Sequence, residues 1–176
     1  MKEFSTKNNF CVFLTQADDI GRIIIPKEIR RKYRIREGDP IEIGEGEKSI
    51  ILQKYSVFEL FSETSEKLLQ SFSKVTDMPV ILCDTVRVLD AVRTSREIAD
   101  KELSMELSDC IREKIASCSG LKIAYESDLK VGAIERVVVN SCVEGALIIP
   151  VSGKEITDSH RDCLKVCASA LAAIAE

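Results

Sequence analysis

Arg22-Ile-Ile-Ile-Pro-Lys-Glu-Ile-Arg-Arg-Lys-Tyr-Arg-Ile-Arg36 decides how this 176-residue chain is read. A β-branched run ends at Pro26, where a helix is free to open, because proline's missing N–H costs nothing at a first helical position. That helix is expected to run to about Arg34. Arg22, Lys27, Arg30, Arg31, Lys32, Arg34 and Arg36 set seven positive charges against the single Glu28, a local balance of +6 in a chain whose formal total is −4. Such an excess points to a surface that faces a polyanion, since basic side chains that neutralise phosphates release condensed counterions.

Short strands and turns are expected on either side. Residues 1–10 are polar and expected to fray. Cys11 to Thr15 reads as a strand, Ala17 to Gly21 as a turn in which Gly21 supplies a positive φ, and Arg22 to Ile25 as a second strand. Glu37-Gly38-Asp39-Pro40 is another turn. Ile41-Glu42-Ile43 alternates like a half-buried strand, and Gly44 to Glu47 turns the chain back into Ser49 to Lys54. A unit this small buries little apolar surface alone, and such domains usually need help from oligomerisation.

Asp18-Asp19-Ile20-Gly21-Arg22-Ile23-Ile24-Ile25-Pro26-Lys27-Glu28-Ile29-Arg30-Arg31, followed by Ile35 to Ile43 and Ile50 to Tyr55, resembles the AbrB-type DNA-binding domain found in transcription regulators. The resemblance covers about residues 12 to 55. It implies that hairpins from two chains interleave into one β-barrel, so that the folding unit is a dimer, and it leaves a tetramer open. It implies double-stranded DNA as partner, contacted by arginines at positions matching Arg22, Arg30 and Arg31. Lys27 and Lys32 are added as phosphate contacts by proximity. One departure stands out. The family often carries a basic pair just before the turn, where this chain has Thr15-Gln16, which removes two phosphate contacts per subunit. A hydroxyl and an amide still donate hydrogen bonds there, more weakly.

The composition, 45% hydrophobic and 31% charged, is that of a folded protein. No apolar run approaches the ~18 residues of a membrane span, and Met1-Lys2-Glu3-Phe4 lacks a signal-peptide core. A cytoplasmic location with no membrane partner is expected. Charge is divided unevenly. Residues 1–54 hold 11 basic and 9 acidic side chains, a balance of +2; the remainder holds 14 and 20, a balance of −6, and the two recover −4. Seven cysteines occur without a C-x-x-C pair, so most are expected to be reduced, buried, small apolar residues.

Three parts follow: residues 1–55 as the DNA-binding domain, 56–78 as a linker helix and 79–176 as a sensor or assembly domain. In the linker, Val57, Phe61, Thr64, Leu68, Ser71, Val75 and Met78 fall at heptad spacing, competing with an ordinary amphipathic helix packed on the next domain. Beyond it, strands are expected at Val80–Asp84, Arg87–Val92, Leu121–Tyr125, Arg136–Asn140 and Gly145–Val151. Leu103, Leu107, Ile111 and Ile115 form a helical stripe. Thr157-Asp158 is placed to cap a last helix running through Ala175. The fold class is α+β, an antiparallel sheet with helices on it. This order, beside such an N-terminal neighbour, resembles a GAF-type sensor domain. The resemblance implies a pocket for an unidentified small-molecule effector, with rims at Arg93–Arg96 and Glu126–Gly132.

Candidate chemistry is sparse. Asp18 and Asp19 read as turn residues balancing nearby cations rather than as an acid–base pair. His160, Cys163 and Cys167 share one helix face with Leu164 and Leu171, which favours a core stripe over a metal site or an activated thiol. As three ligands spread over two turns they suit neither a structural nor a catalytic zinc, so no metal and no cofactor is expected. With one histidine, acid–base catalysis is short of candidates, and the chain is not read as an enzyme. Two rival readings remain: a redox or metal sensor acting through Cys163/Cys167, and an antitoxin-like interaction module. AbrB-like antitoxins bind their toxin through a disordered acidic tail, unlike the mixed-charge C-terminal region here.

Overall fold

Two units fold from the chain in the computed structural model, Met1–Tyr55 and Ser56–Glu176, and the structure describes residues 4–6, 10–115 and 117–175. In the first, β1 (Phe4–Thr6) pairs antiparallel with β2 (Phe10–Val12). The fraying expected of residues 1–10 is therefore corrected at Phe4–Thr6 and Phe10; residues 1–3 and 7–9 lie outside the described residues. The strand expected to reach Thr15 stops at Val12, and Arg22–Ile25 joins no ladder. A strand needs a pairing edge, and this single chain presents none at those positions.

Helix α1 (Lys27–Lys32) ends two residues before the expected Arg34, and Pro26 stands just before its first residue rather than at it. Its end is closed by the Ile35 N–H donating to the Arg30 carbonyl (2.8 Å) and the Arg34 N–H to the Arg31 carbonyl (3.3 Å). Arg34 takes φ 51° to make these bonds, a left-handed helix cap built without glycine. The hairpin of β3 (Ile41–Gly46) and β4 (Ser49–Lys54) is in register from Ile41↔Lys54 to Gly46↔Ser49. Gly44 and Gly46, read as turn residues, thus belong to the ladder, and Glu47-Lys48 alone makes the turn. Residues 13–55 contain no buried residue.

The second unit is a mixed α+β fold around an antiparallel sheet, as its sequence order implies. A 3-10 turn (Val57–Phe61) leads into α2 (Ser62–Thr76), then β5 (Val80–Asp84), β6 (Val88–Val92), α3 (Met105–Arg112), β7 (Val131–Val139), β8 (Cys142–Pro150) and α4 (Asp158–Ala175). The strands lie in the order β6-β5-β8-β7. Period-two alternation sends Val80, Leu82, Leu147 and Ile149 to one face, against Leu69 and Phe72 of α2 and Leu164 and Leu171 of α4. Ile81, Cys83, Ala146 and Ile148 go to the other, against Leu107 and Ile111 of α3.

Two expectations are corrected here, and a third holds for most but not all of its residues. Leu121–Tyr125 forms only single bridges, Lys122↔Lys130 and Leu103↔Ala124, because Ile123 and Ala124 are buried in the α3 cluster and not aligned on the sheet. Of the heptad positions, Met78 is buried and Val57, Phe61 and Leu68 pack partly buried on the core. Within α2, however, the buried residues are Ser65, Leu69, Phe72 and Ser73, and Val75 is 79% exposed, so the competing reading of an ordinary amphipathic helix holds. That helix packs into the second unit, so its apolar face follows the sheet and α4 rather than a two-stranded seam. Finally, Cys110 and Cys118 form a disulfide, while Cys83, Cys142, Cys163 and Cys167 are free.

Candidate nucleic-acid interface

Local sequence fixes the basic surface one turn at a time. The Asp18 carboxylate closes the loop ahead of Arg22. Its Oδ1 accepts the backbone N–H of Ile20 (3.2 Å) and of Arg22 (2.7 Å). Two backbone bonds reinforce the loop, Asp18 N–H to the Arg22 carbonyl and Gly21 N–H to the Asp18 carbonyl, both 3.0 Å. Gly21 sits at φ 82°, where a Cβ brings strain. Asp18 Oδ2 then accepts the Arg22 Nε–H at 2.7 Å. The Arg22 side-chain bond and, after it, the Arg22 backbone bond hold the Asp18 carboxyl below the usual carboxylate range.

Arg22, Lys27, Arg30, Arg31 and Lys32 are all exposed. Lys27, Arg30 and Arg31 stand at i, i+3 and i+4 on α1, which places them on one helix face. Three cations in the last turn also complement the helix's negative end. Lys32 departs from that face: its Nζ lies 5.3 Å from the centre of the Tyr33 ring, a cation–π contact. Thr15 and Gln16 are exposed ahead of the Asp18 turn. The turn-forming, charge-balancing role expected of Asp18 is borne out by these bonds; the sequence did not name Arg22 as the cation it balances. The signal was present as an aspartate four residues before an arginine across a glycine turn.

The second unit deploys its polar groups structurally. His160 Nδ1 accepts the Thr157 N–H at 3.2 Å, and the Thr157 hydroxyl accepts the His160 N–H at 3.4 Å. This reciprocal cap opens α4 and engages His160, a residue expected in a core stripe in preference to a metal site. Cys163 and Cys167 are half-buried beside Leu164 and Leu171, and burial, then Cys163, pushes the Cys167 thiol up. A raised pKa keeps the thiol protonated and unreactive. Burial does the same to Cys83. Arg93, at a predicted pocket rim, donates to Asp77, and Lys154 Nζ reaches the same carboxylate at 2.6 Å. At the other rim, a Cβ on Gly132 would meet the Ile149 carbonyl oxygen at 3.0 Å. Among the described residues no group of three or more His, Cys, Asp or Glu is arranged to hold a metal ion, and no helix is long and apolar enough to cross a membrane.

Residues 19–59, the segment carrying the basic surface, match the family model described as antidote-toxin recognition MazE, bacterial antitoxin, and the resemblance read from the sequence is borne out by this match together with two relatives. Over 165 residues, 89% of this chain and 93% of the relative, the chain is 27% identical to stage V sporulation protein T of Bacillus subtilis (strain 168). Over 40 residues, 23% of this chain and 42% of the relative, it is 45% identical to the transition state regulatory protein AbrB of the same organism.

Proposed function

We propose that this chain is a cytoplasmic transcription regulator, and not an enzyme, that binds double-stranded DNA sequence-specifically through residues 1–55. The carrying observation is that the segment matching the MazE family model, which is also similar to AbrB, exposes Arg22, Lys27, Arg30, Arg31 and Lys32 together in an otherwise acidic chain. Arg22, Arg30 and Arg31 contact the DNA, and Lys27 and Lys32 neutralise phosphate. Residues 13–55 bury nothing on their own, which supports a swapped-hairpin dimer as the folding unit: Ile23, Ile43 and Ile51, exposed in one chain, become core between two. Ser56–Glu176 serves as a GAF-like sensor or assembly domain that biases the spacing of basic surfaces, in a dimer or a tetramer, in response to a small-molecule effector. Its antiparallel sheet with helices on both faces supports that part of the reading.

The test is Arg30→Ala with Arg31→Ala in the full chain. Binding to duplex DNA should fall at least tenfold with the fold intact, by circular dichroism. The slope of log affinity against log salt should shrink by about 3–4 for a dimer that loses four cations. Unchanged affinity in a folded double mutant would sink the assignment.

A second reading, toxin recognition, is favoured by the description of the family model that residues 19–59 match. The compact folding of Ser56–Glu176 weighs against it, since that reading calls for a disordered tail. Duplex binding by the purified chain alone separates the two.

A further inference from the structure

The geometry points to Asp18 as a positioning residue that presents Arg22 end-on to a base edge, so that Arg22 contributes sequence discrimination rather than phosphate affinity. This rests on the DNA-binding reading above and refines it. A guanidinium carries five N–H donors in a planar fork. Asp18 takes one, at Nε, and thereby fixes the plane. The four donors on the two terminal nitrogens have no partner among the described residues, and the Arg22 side chain is 75% exposed. The result is an arginine with a restrained direction and a free leading edge. That edge matches the paired O6 and N7 acceptors of guanine in the major groove, the commonest specific contact of arginine.

Charge supports the same assignment. A carboxylate beside a phosphate is repelled, so a cation meant only for the backbone gains nothing from an aspartate at 2.7 Å. Over a groove the cost is smaller, and the pre-set plane spares ordering entropy that a free arginine loses on binding. Lys27, Arg30 and Arg31 show no such bond to a carboxylate among the contacts described above, and they remain suited to the phosphates.

The two carboxylate oxygens divide their work, which makes the idea testable. Oδ1 holds the turn through Ile20 and Arg22 N–H, and Oδ2 holds Arg22 Nε. Asp18→Asn keeps an oxygen for the turn and sets an NH2 donor against the Nε–H donor. It therefore releases the arginine while leaving the loop closed. Electrostatics alone expects the opposite sign, because removing a negative charge from a DNA-facing surface raises affinity for every duplex.

The experiment uses the full chain, a duplex selected by the wild-type protein from a random pool, and a scrambled duplex of equal length. Asp18→Asn should lose roughly tenfold on the selected duplex, hold or gain on the scrambled one, and leave the salt slope unchanged. Arg22→Ala added to Asp18→Asn should cost much less than Arg22→Ala alone. The inference is overturned if Asp18→Asn binds the selected duplex as tightly as wild type, or tighter, while Arg22→Ala still costs its full amount; DNA binding by residues 1–55 then stands. Equal losses on both duplexes also overturn it, by showing a structural role. If Arg22→Ala changes neither duplex while Arg30→Ala with Arg31→Ala weakens both, Arg22 is not a contact and the inference falls alone. Failure of the wild-type chain to enrich any duplex removes the DNA-binding reading itself, and the inference with it.

Discussion

Leu14, Ile20, Ile24, Ile43 and Ile50 in the first unit are each 68% exposed or more, whereas Leu69, Ile81, Leu107 and Ile148 in the second are at 1% or less. Both units are rich in β-branched and aliphatic side chains, so composition does not account for the contrast. Layering does. In the second unit a four-stranded sheet is covered on both faces, and each strand contributes side chains in both directions. In the first, two hairpins and a six-residue helix offer no second layer. Apolar side chains form a core only where a second layer covers them, and the first unit's stay on the surface of the single chain. The reading proposed above supplies that layer with a second copy.

The sharpest way to break the contrast is Ile43→Asp. Placing a carboxylate in a core shared between chains should cost on the order of 4 kcal/mol and abolish association through the first unit. The melting of the second unit should not move, as two-transition calorimetry would show. If the first unit tolerates the change, Ile43 faces water in the assembly and the shared core lies elsewhere. Gly145→Ala attacks the other side. A Cβ there would run into the Cys83 carbonyl oxygen and the Phe58 ring, a collision between paired strands that neither can avoid. The second unit should lose about 3 kcal/mol or more in denaturant unfolding, while residues 1–55 are unaffected.

Removing the Cys110–Cys118 bridge, by Cys110→Ser with Cys118→Ser, should cost the second unit about 2–3 kcal/mol, as for a short closed loop. Arg136 clamps the same segment, donating from Nε to the Ile111 carbonyl (3.1 Å) and from a terminal nitrogen to the Cys110 carbonyl (3.0 Å). The smallest effect is a titration. The folded Asp18 carboxyl lies below its model-peptide value of 3.8, so its bond to Arg22 is in place above that pH. The bond is lost only as pH falls through the lower folded value. An NMR titration of the Asp18 carboxyl with its midpoint at or above 3.8 would contradict the pairing.

The sequence carried more of the second unit than of the first, for reasons visible in single residues. Val80–Cys83 and Gly145–Ile149 are continuous apolar runs because both faces of their strands are covered, and both read directly as strands. Thr157 announced the start of α4 through its capping chemistry. Leu121–Tyr125 alternates like a strand but spends Ile123 and Ala124 on α3, a tertiary choice that no local pattern encodes. In α2 heptad spacing competes with an ordinary amphipathic face, and the exposed Val75 decides for the latter, because the helix packs on the sheet and α4. The disulfide was illegible, since a spacing of eight residues names no partner. Within the basic segment, charge counting gave seven cations, and the family resemblance, with proximity, singled out five of them. Neither could find the hold of Asp18 on Arg22, which depends on how the Gly21 turn folds back.

The central claim is that the first unit exists as a folded body only between chains. Sedimentation equilibrium of residues 1–55, with circular dichroism over a concentration series, tests it most directly. The account expects a dimer whose secondary structure is lost on dilution together with the dimer itself. A stable, folded monomer across that series would contradict it.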